Sequence, residues 1–312
     1  MDNIKLLKYC IKNPEGFMDK NYMFIKSDPK LNTYKKKTKE IKELLIAIKK
    51  VKSKKNVQDT LNQLFEELQN KLKKDANYSE FGCFINACDS YMQEVINNLS
   101  LLKKVTDLYL NKRTLNDIVP SEWIQAIIDK GSSRKKGHVG EDKLINILKG
   151  KKFVFVKKFL DFKKHKKCVA KFSKSGDFSN KNIKKNLKIS FGKGTQGKTL
   201  DLIIKDNKDI YFLEAKHLNT SGGEQNKQVL ELIKIINRKP FLKNYHFVAF
   251  LDGRYSNVVL NVGKKDENSL KNKNRKKLKK QELQYSDTKE ALLRNEGNYW
   301  VNTSGFDKLF SK

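Results

Sequence analysis

The sequence lacks any unbroken apolar run near the roughly 18 residues that a membrane-spanning helix needs. No charged-then-apolar signal segment opens it, since Met1 to Asn21 is mixed polar. A membrane partner is therefore disfavoured, and the cytoplasm is the expected location. Cysteine is scarce: Cys10, Cys83, Cys88 and Cys168 are scattered, and Cys83 and Cys88 have no partner pair or nearby histidine. That spacing is no zinc pattern, so all four read as reduced, small apolar residues. Phosphate-binding loops of the Gly-rich Lys-Ser/Thr kind, dinucleotide fingerprints, internal repeats and methyltransferase motifs are absent too. Acidic residues are few, with 35 Asp and Glu against 67 Lys and Arg, which leaves a net charge of +32. A chain this basic repels itself when compact, and a polyanion, nucleic acid first, is the natural partner.

What is present divides into three regions. Residues 1–130 read as a helical region for recognition or dimerisation. Ile41, Leu44, Leu45 and Ile48 repeat at helical spacing, as do Leu61, Leu64, Phe65, Leu68 and Leu72. The first of these helices is dense in lysine, from Lys35 to Lys50, and reads equally as a DNA-facing surface or a solvated face. Residues 131–262 are the expected catalytic core, opening on a linker-like stretch from Gly131 to Gly137. Strands are expected over Phe153 to Phe162, Leu187 to Phe191, Thr199 to Ile204, Ile210 to Ala215 and His246 to Leu251. Helices are expected over His138 to Lys149 and Gln225 to Asn237. Residues 263–312 hold a basic arm, Lys264 to Lys280, then a helix near Thr288 to Arg294 and an apolar patch at Tyr299, Trp300 and Val301.

The chemistry concentrates in one hairpin. If Asn207 and Lys208 form a two-residue turn, Asp206 faces Asp209 and Ile204 faces Tyr211. Counting back along both strands sets Asp201 opposite Glu214 on one face of the sheet. Two carboxylates so paired within apolar strands repel each other unless a cation lies between them. A hard divalent ion with oxygen ligands fits, magnesium above all. Lys216 lies two residues past Glu214 and shares its face. An ammonium there can orient an attacking water and offset charge on a phosphate. The alternative is a surface salt bridge on a chance hairpin, which the surrounding apolar runs disfavour.

Two further features converge on this hairpin. Glu141 lies on the same helix stripe as Leu144, Ile145 and Leu148, so it either completes a second metal position or holds Lys216. A first-turn acid favoured by the helix dipole is the simpler alternative. After Lys216, the glycines Gly222 and Gly223 allow backbone to approach a phosphate. Gln225 and Gln228 follow on one side of the next helix, within reach of a scissile strand; an ordinary strand-to-helix loop is the alternative. Arg254 and Tyr255 are candidate DNA contacts by charge and position, and Lys198 joins the same set.

At Thr199-Leu200-Asp201 and Glu214-Ala215-Lys216 the chain resembles the PD-(D/E)XK nuclease superfamily, with Glu141 matching its first-helix acid. The Glu-Ala-Lys strand leading into Ser-Gly-Gly-Glu-Gln-Asn-Lys-Gln, and the later Leu251-Asp252-Gly253-Arg254-Tyr255, look like type II restriction endonucleases. The resemblance spans about Gly137 to Tyr255, and the superfamily's proline before the first acid is missing. It implies an α/β (α+β) fold: a restriction-endonuclease-like central mixed sheet flanked by helices, with an N-terminal helical region added. It also implies Mg2+ on Asp201, Glu214 and the Ala215 carbonyl, with Lys216 helping to activate water. Products would carry a 5′-phosphate and a 3′-hydroxyl. Partners would be double-stranded DNA, a second copy in a homodimer, and a separate cognate DNA methyltransferase.

The expectation is thus a type II endonuclease with Asp201, Glu214, Lys216, Glu141 and Gln228 catalytic and Asp201, Glu214 and Glu141 metal-binding. Lys198, Gly222, Gly223, Gln225, Arg254 and Tyr255 are the expected DNA contacts. A repair or junction-directed nuclease of the same fold is one alternative. A non-catalytic DNA-binding protein is another, and it has no need of the carboxylate–lysine cluster.

Overall fold

The computed structural model describes every residue except 24–27, 131–132, 190–199, 221, 265–277 and 312, with backbone alone for 133–137. Two compact units result: residues 1–23 with 134–312, and residues 24–133.

The second unit is all helix among its described residues. Helices α2 (Leu31–Lys52), α3 (Gln58–Asp75), α4 (Glu80–Ala87), α5 (Met92–Asn97), α6 (Leu99–Lys112) and α7 (Ser121–Lys130) follow one another. Ile41, Leu45, Ile48, Phe65, Leu68 and Leu72 from the two periodic stretches form its core with Phe81, Val95 and Tyr109. The Lys-rich helix does not offer all its charge to a ligand: Lys37 pairs with Asp75 at 2.7 Å and Lys71 of α3 with Glu40 at 2.5 Å.

The first unit is a six-stranded mixed sheet with helices around it. Its strands are β1 (Val154–Phe155), β2 (Lys167–Lys171), β3 (Leu202–Asp206), β4 (Asp209–His217), β5 (Tyr245–Asp252) and β6 (Tyr299–Val301), in that order across the sheet. The pairs β2–β3 and β3–β4 are antiparallel; β1–β2, β4–β5 and β5–β6 are parallel. β4 and β5 are central and apolar on both faces, as buried parallel strands are. Helix α8 (Ser133–Gly150) buries Leu144, Ile145 and Leu148 against Val169, Leu202 and Leu213. Helix α11 (Gly223–Ile236) buries Val229, Leu232, Ile233 and Ile236, the stripe its sequence showed.

Several elements differ from the sequence reading. Only Val154 and Phe155 of the stretch 153–162 are strand; Phe159–Lys164 is helix α9. The Phe159 N–H donates to Asp177 Oδ2 at 2.7 Å, which starts the helix, and Phe159 and Phe162 both pack on Phe178. Leu187 ends helix α10 (Asn180–Leu187), and residues 188–189 after it are not strand; the rest of that expected strand, and Thr199, lie outside the described residues. The linker-like residues 131–137 and most of the basic arm lie outside the described backbone or side chains as well. Strand β2, and the helix Thr303–Leu309, went unread.

The unit boundaries also depart from a simple order along the chain. Helix α1 (Asn3–Lys12) belongs with the sheet unit, not with the other N-terminal helices. Its Leu6, Leu7 and Cys10 join a core that includes Leu292, Trp300 and Phe306, and Asn3 Nδ2 donates to Leu292 O at 2.8 Å. The C-terminal helix Lys280–Arg294 and β6 complete the same core.

Candidate active site

The hairpin has the register its turn dictates: Asp206 faces Asp209, Ile204 faces Tyr211 and Leu202 faces Leu213. Asn207 adopts φ 58°, a left-handed conformation that asparagine tolerates. Asp201 stands one residue before the last pair and Glu214 one beyond it. The Asp201 N–H donates to Leu213 O at 2.9 Å, which extends the ladder to the acid itself. Strand alternation then sends Asp201, Glu214 and Lys216 off the same face.

The two acids are held differently. Asp201 Oδ2 accepts from the Ala215 N–H at 2.7 Å. Glu214, only 1% exposed, accepts at Oε1 from Lys216 Nζ at 2.7 Å. Burial and then the Glu214 charge push the Asp201 carboxyl up to about 7. The Ala215 N–H and the Lys216 ammonium oppose that rise, and Glu141 adds to it. Lys216 has a second acid, Glu231 of α11, at 3.6 Å. Sequence reading missed Glu231, although it lies one helical step past Gln228 on the side already singled out. It also passed over Arg238, whose guanidinium charge bears on Glu214 from the end of α11.

Glu141 does not hold Lys216. Its Oε2 pairs with Lys171 Nζ at 3.0 Å, and Asp142 holds the same ammonium at 2.9 Å. Lys171 faces Leu202 across β2–β3, so it leaves the sheet on the face opposite Asp201. No group of three or more His, Cys, Asp and Glu positioned for a metal occurs among the described residues. Glu141 is thus engaged by Lys171, while Asp201 and Glu214 are the two acids that the hairpin sets opposite each other.

The loop after Lys216 is partly as expected. Gly223 is exposed, and a Cβ added there would meet nothing within 4 Å. Gln225 turns back over Gly222: a Cβ on that glycine would lie 2.4 Å from Gln225 Oε1. Gln228 is half-buried on α11. Lys198 lies outside the described residues. Arg254 donates through Nη1 to Glu15 O at 2.9 Å and stacks over Phe17 at 3.6 Å. Tyr255, expected at the DNA, is instead a core residue: it is 2% exposed, and its hydroxyl donates to Gln284 Oε1 at 3.1 Å.

A second polar cluster closes the ends of β4 and β5. Lys143 of α8, 7% exposed, donates to Asp19 at 2.6 Å, Asp252 at 2.9 Å and Thr303 Oγ1 at 2.7 Å. His217 faces Asp252 in the β4–β5 register, and Tyr22 stacks on His217 with ring centroids 3.6 Å apart. Burial favours the neutral acid at Asp252, yet the His217 hydrogen bond and the Lys143 charge hold its carboxyl well below the usual carboxylate range.

Comparison with known proteins falls on the same strands. Residues 150–258 match the family model of the DpnII restriction endonuclease. The likeness to type II restriction endonucleases carried by the motifs is thereby borne out over this stretch. The DpnII match takes in β1 to β5, with Asp201, Glu214 and Lys216, and leaves out Glu141 and the helical unit. No curated protein and no solved structure matches the chain. Among the described residues no helix is long and apolar enough to cross a membrane.

Proposed function

We propose that the chain is a type II restriction endonuclease that makes magnesium-dependent, sequence-specific double-strand cuts in DNA, leaving 5′-phosphate and 3′-hydroxyl ends. The observation that carries this reading is the facing pair Asp201 and Glu214 with Lys216 on Glu214, inside the stretch that matches DpnII. A carboxyl pushed to about 7 beside a second buried acid makes double ionisation costly at neutral pH. A divalent cation removes that cost, so the donor set suits magnesium. Asp201, Glu214 and the Ala215 carbonyl would hold it, and when bound it would supply Lewis-acid polarisation of the phosphate and a more acidic water.

The chain's own residues then divide the work. The Ala215 N–H fixes the Asp201 carboxylate. Lys216 sits between Glu214 and Glu231, so its ammonium is aimed by two acids and is available to a phosphate oxygen. Gly223 leaves its backbone open to the sugar–phosphate chain. The charge of +32 supplies salt-dependent affinity for duplex. In this reading the enzyme works in the cytoplasm as a homodimer beside a separate methyltransferase that protects host DNA.

The deciding experiment incubates the purified protein with unmethylated phage DNA, with magnesium and with EDTA. Discrete fragments only with magnesium are expected. A smear would point to a structure-directed or non-specific nuclease. Intact DNA despite tight binding would overturn the catalytic reading in favour of a binding protein.

A further inference from the structure

We infer that residues 14–19 form a DNA-contacting finger, with Phe17 and Met18 as its apolar tip and Arg254 as its backing. This rests on the reading of the protein as an enzyme acting on duplex DNA, and it assigns a contact element outside the stretch matching DpnII.

Phe17 is 77% exposed and Met18 74%, more than any other large apolar side chain among the described residues. Single exposed apolar residues are ordinary. This pair is set apart by how firmly it is held out. Met18 takes φ 53°, a left-handed conformation rare for such a side chain, which persists only where its surroundings impose it. Polar anchors on both sides supply those surroundings. The Glu15 N–H donates to Asn257 Oδ1 at 2.7 Å, and Glu15 O accepts from Asn257 Nδ2 at 2.8 Å and Arg254 Nη1 at 2.9 Å. Glu15 Oε1 accepts from the Thr303 N–H at 2.6 Å. On the far side of the tip, Asp19 is tied to Lys143 and Tyr22 lies flat on His217. Both stems are thus fixed, and the tip between them is solvated.

The tip's position ties it to the cutting site. Arg254 comes three residues after Leu251, the β5 partner of Lys216. Its N–H donates to Asn219 Oδ1 at 3.0 Å, and Asn219 comes three residues after Lys216. The finger therefore lies at the C-terminal ends of β4 and β5, the end of the sheet that carries Glu214 and Lys216. A rigid aromatic and a thioether beside a guanidinium suit a base step: the apolar pair wedges or stacks, and the cation faces phosphate. Next to the tip is an open cleft of 580 Å³ bordered by Asn21, Asn146 and Thr303, which gives a displaced base polar partners.

The test is the double variant Phe17→Ala/Met18→Ala, with duplex affinity followed by fluorescence anisotropy in EDTA over a range of salt. Affinity about tenfold weaker at every salt concentration, with an unchanged salt slope and an unchanged melting temperature, is expected. Phe17→Trp, which keeps the aromatic face, should bind within about twofold of wild type. A duplex carrying 2-aminopurine should brighten with wild type and not with the double variant. Wild-type affinity in a folded double variant overturns the inference, and so does weaker binding with a shallower slope, which would mean lost phosphate contacts. Should the double variant melt early, loss of affinity in Phe17→Trp overturns it instead. Because binding is read without magnesium, a protein that binds but never cuts refutes the nuclease reading and leaves this one standing.

Discussion

Ala215 donates its backbone N–H to Asp201, while the neighbour on its other side, Lys216, donates to Glu214. Two consecutive residues of one strand thus manage both acids, one through the backbone and one through a side chain. Removing Lys216 leaves the carboxylates in place and takes away the cation. Lys216→Ala should lower the cutting rate by roughly 10²–10³, the usual loss for one charge-stabilising donor. Duplex affinity should largely remain. Single-turnover cleavage and anisotropy on the same protein check both halves.

Asp201 makes stability depend on pH. Its folded carboxyl is held near 7 and its unfolded one near the ordinary 3.8. Folding therefore keeps a proton that the unfolded chain has already lost between those values, and stability falls as pH rises through them. Asp201→Asn removes the burden. In EDTA its melting temperature should match wild type at pH 4 and exceed it at pH 8, by about 2–6 °C for a gain of roughly 1–2 kcal/mol. Equal melting at both pH values would show that the carboxyl is not raised.

Lys143 is the shared partner of Asp19 and Asp252. Lys143→Ala leaves Asp252, 1% exposed, without that cation, and breaking a buried pair costs about 3–5 kcal/mol. Urea denaturation should show that loss. Asp252→Asn, which keeps the shape and lowers the charge, should cost less.

Tyr255 should behave as packing and not as a DNA contact. Tyr255→Phe should cost about 1 kcal/mol through the lost hydrogen bond to Gln284. The salt slope of duplex binding should not move.

Gly253 has φ 83°, and a Cβ there would lie 2.5 Å from Leu218 O. Gly253→Ala must therefore shift the segment that follows Lys216. It should destabilise the fold by about 1–3 kcal/mol and slow cutting as well. Normal cutting by a destabilised Gly253→Ala protein would separate that segment from the chemistry.

Legibility in the sequence followed the range of the interactions involved. The hairpin was readable because alternation and a two-residue turn are local, and counting from Asn207 was enough to pair Asp201 with Glu214. Helix α11 was readable from the spacing of Val229, Leu232, Ile233 and Ile236. The partner of Glu141 was not readable: a carboxylate on an apolar stripe needs one, but Lys171 lies 30 residues on and only the β2–β3 pairing brings it near. Tyr255 misled because Arg254 looked basic and exposed; its spacing to Val259, four residues on, was the overlooked sign of a helix with a buried side. The Lys143 cluster was invisible in principle, since Asp19, Asp252 and Thr303 are brought together only by the finished fold.

Helix α1 docks on β6 and the helix Lys280–Arg294, elements made almost 300 residues later. At about 5–20 residues per second on the ribosome, that interval is on the order of 15–60 s. Helix α1 is thus made well before the elements that hold it. Residues 24–133 have all that time to fold by local contacts alone. The six-stranded sheet is complete only when β6 arrives, so a message broken off before it leaves α1 without its docking partners and β5 as an unpaired edge.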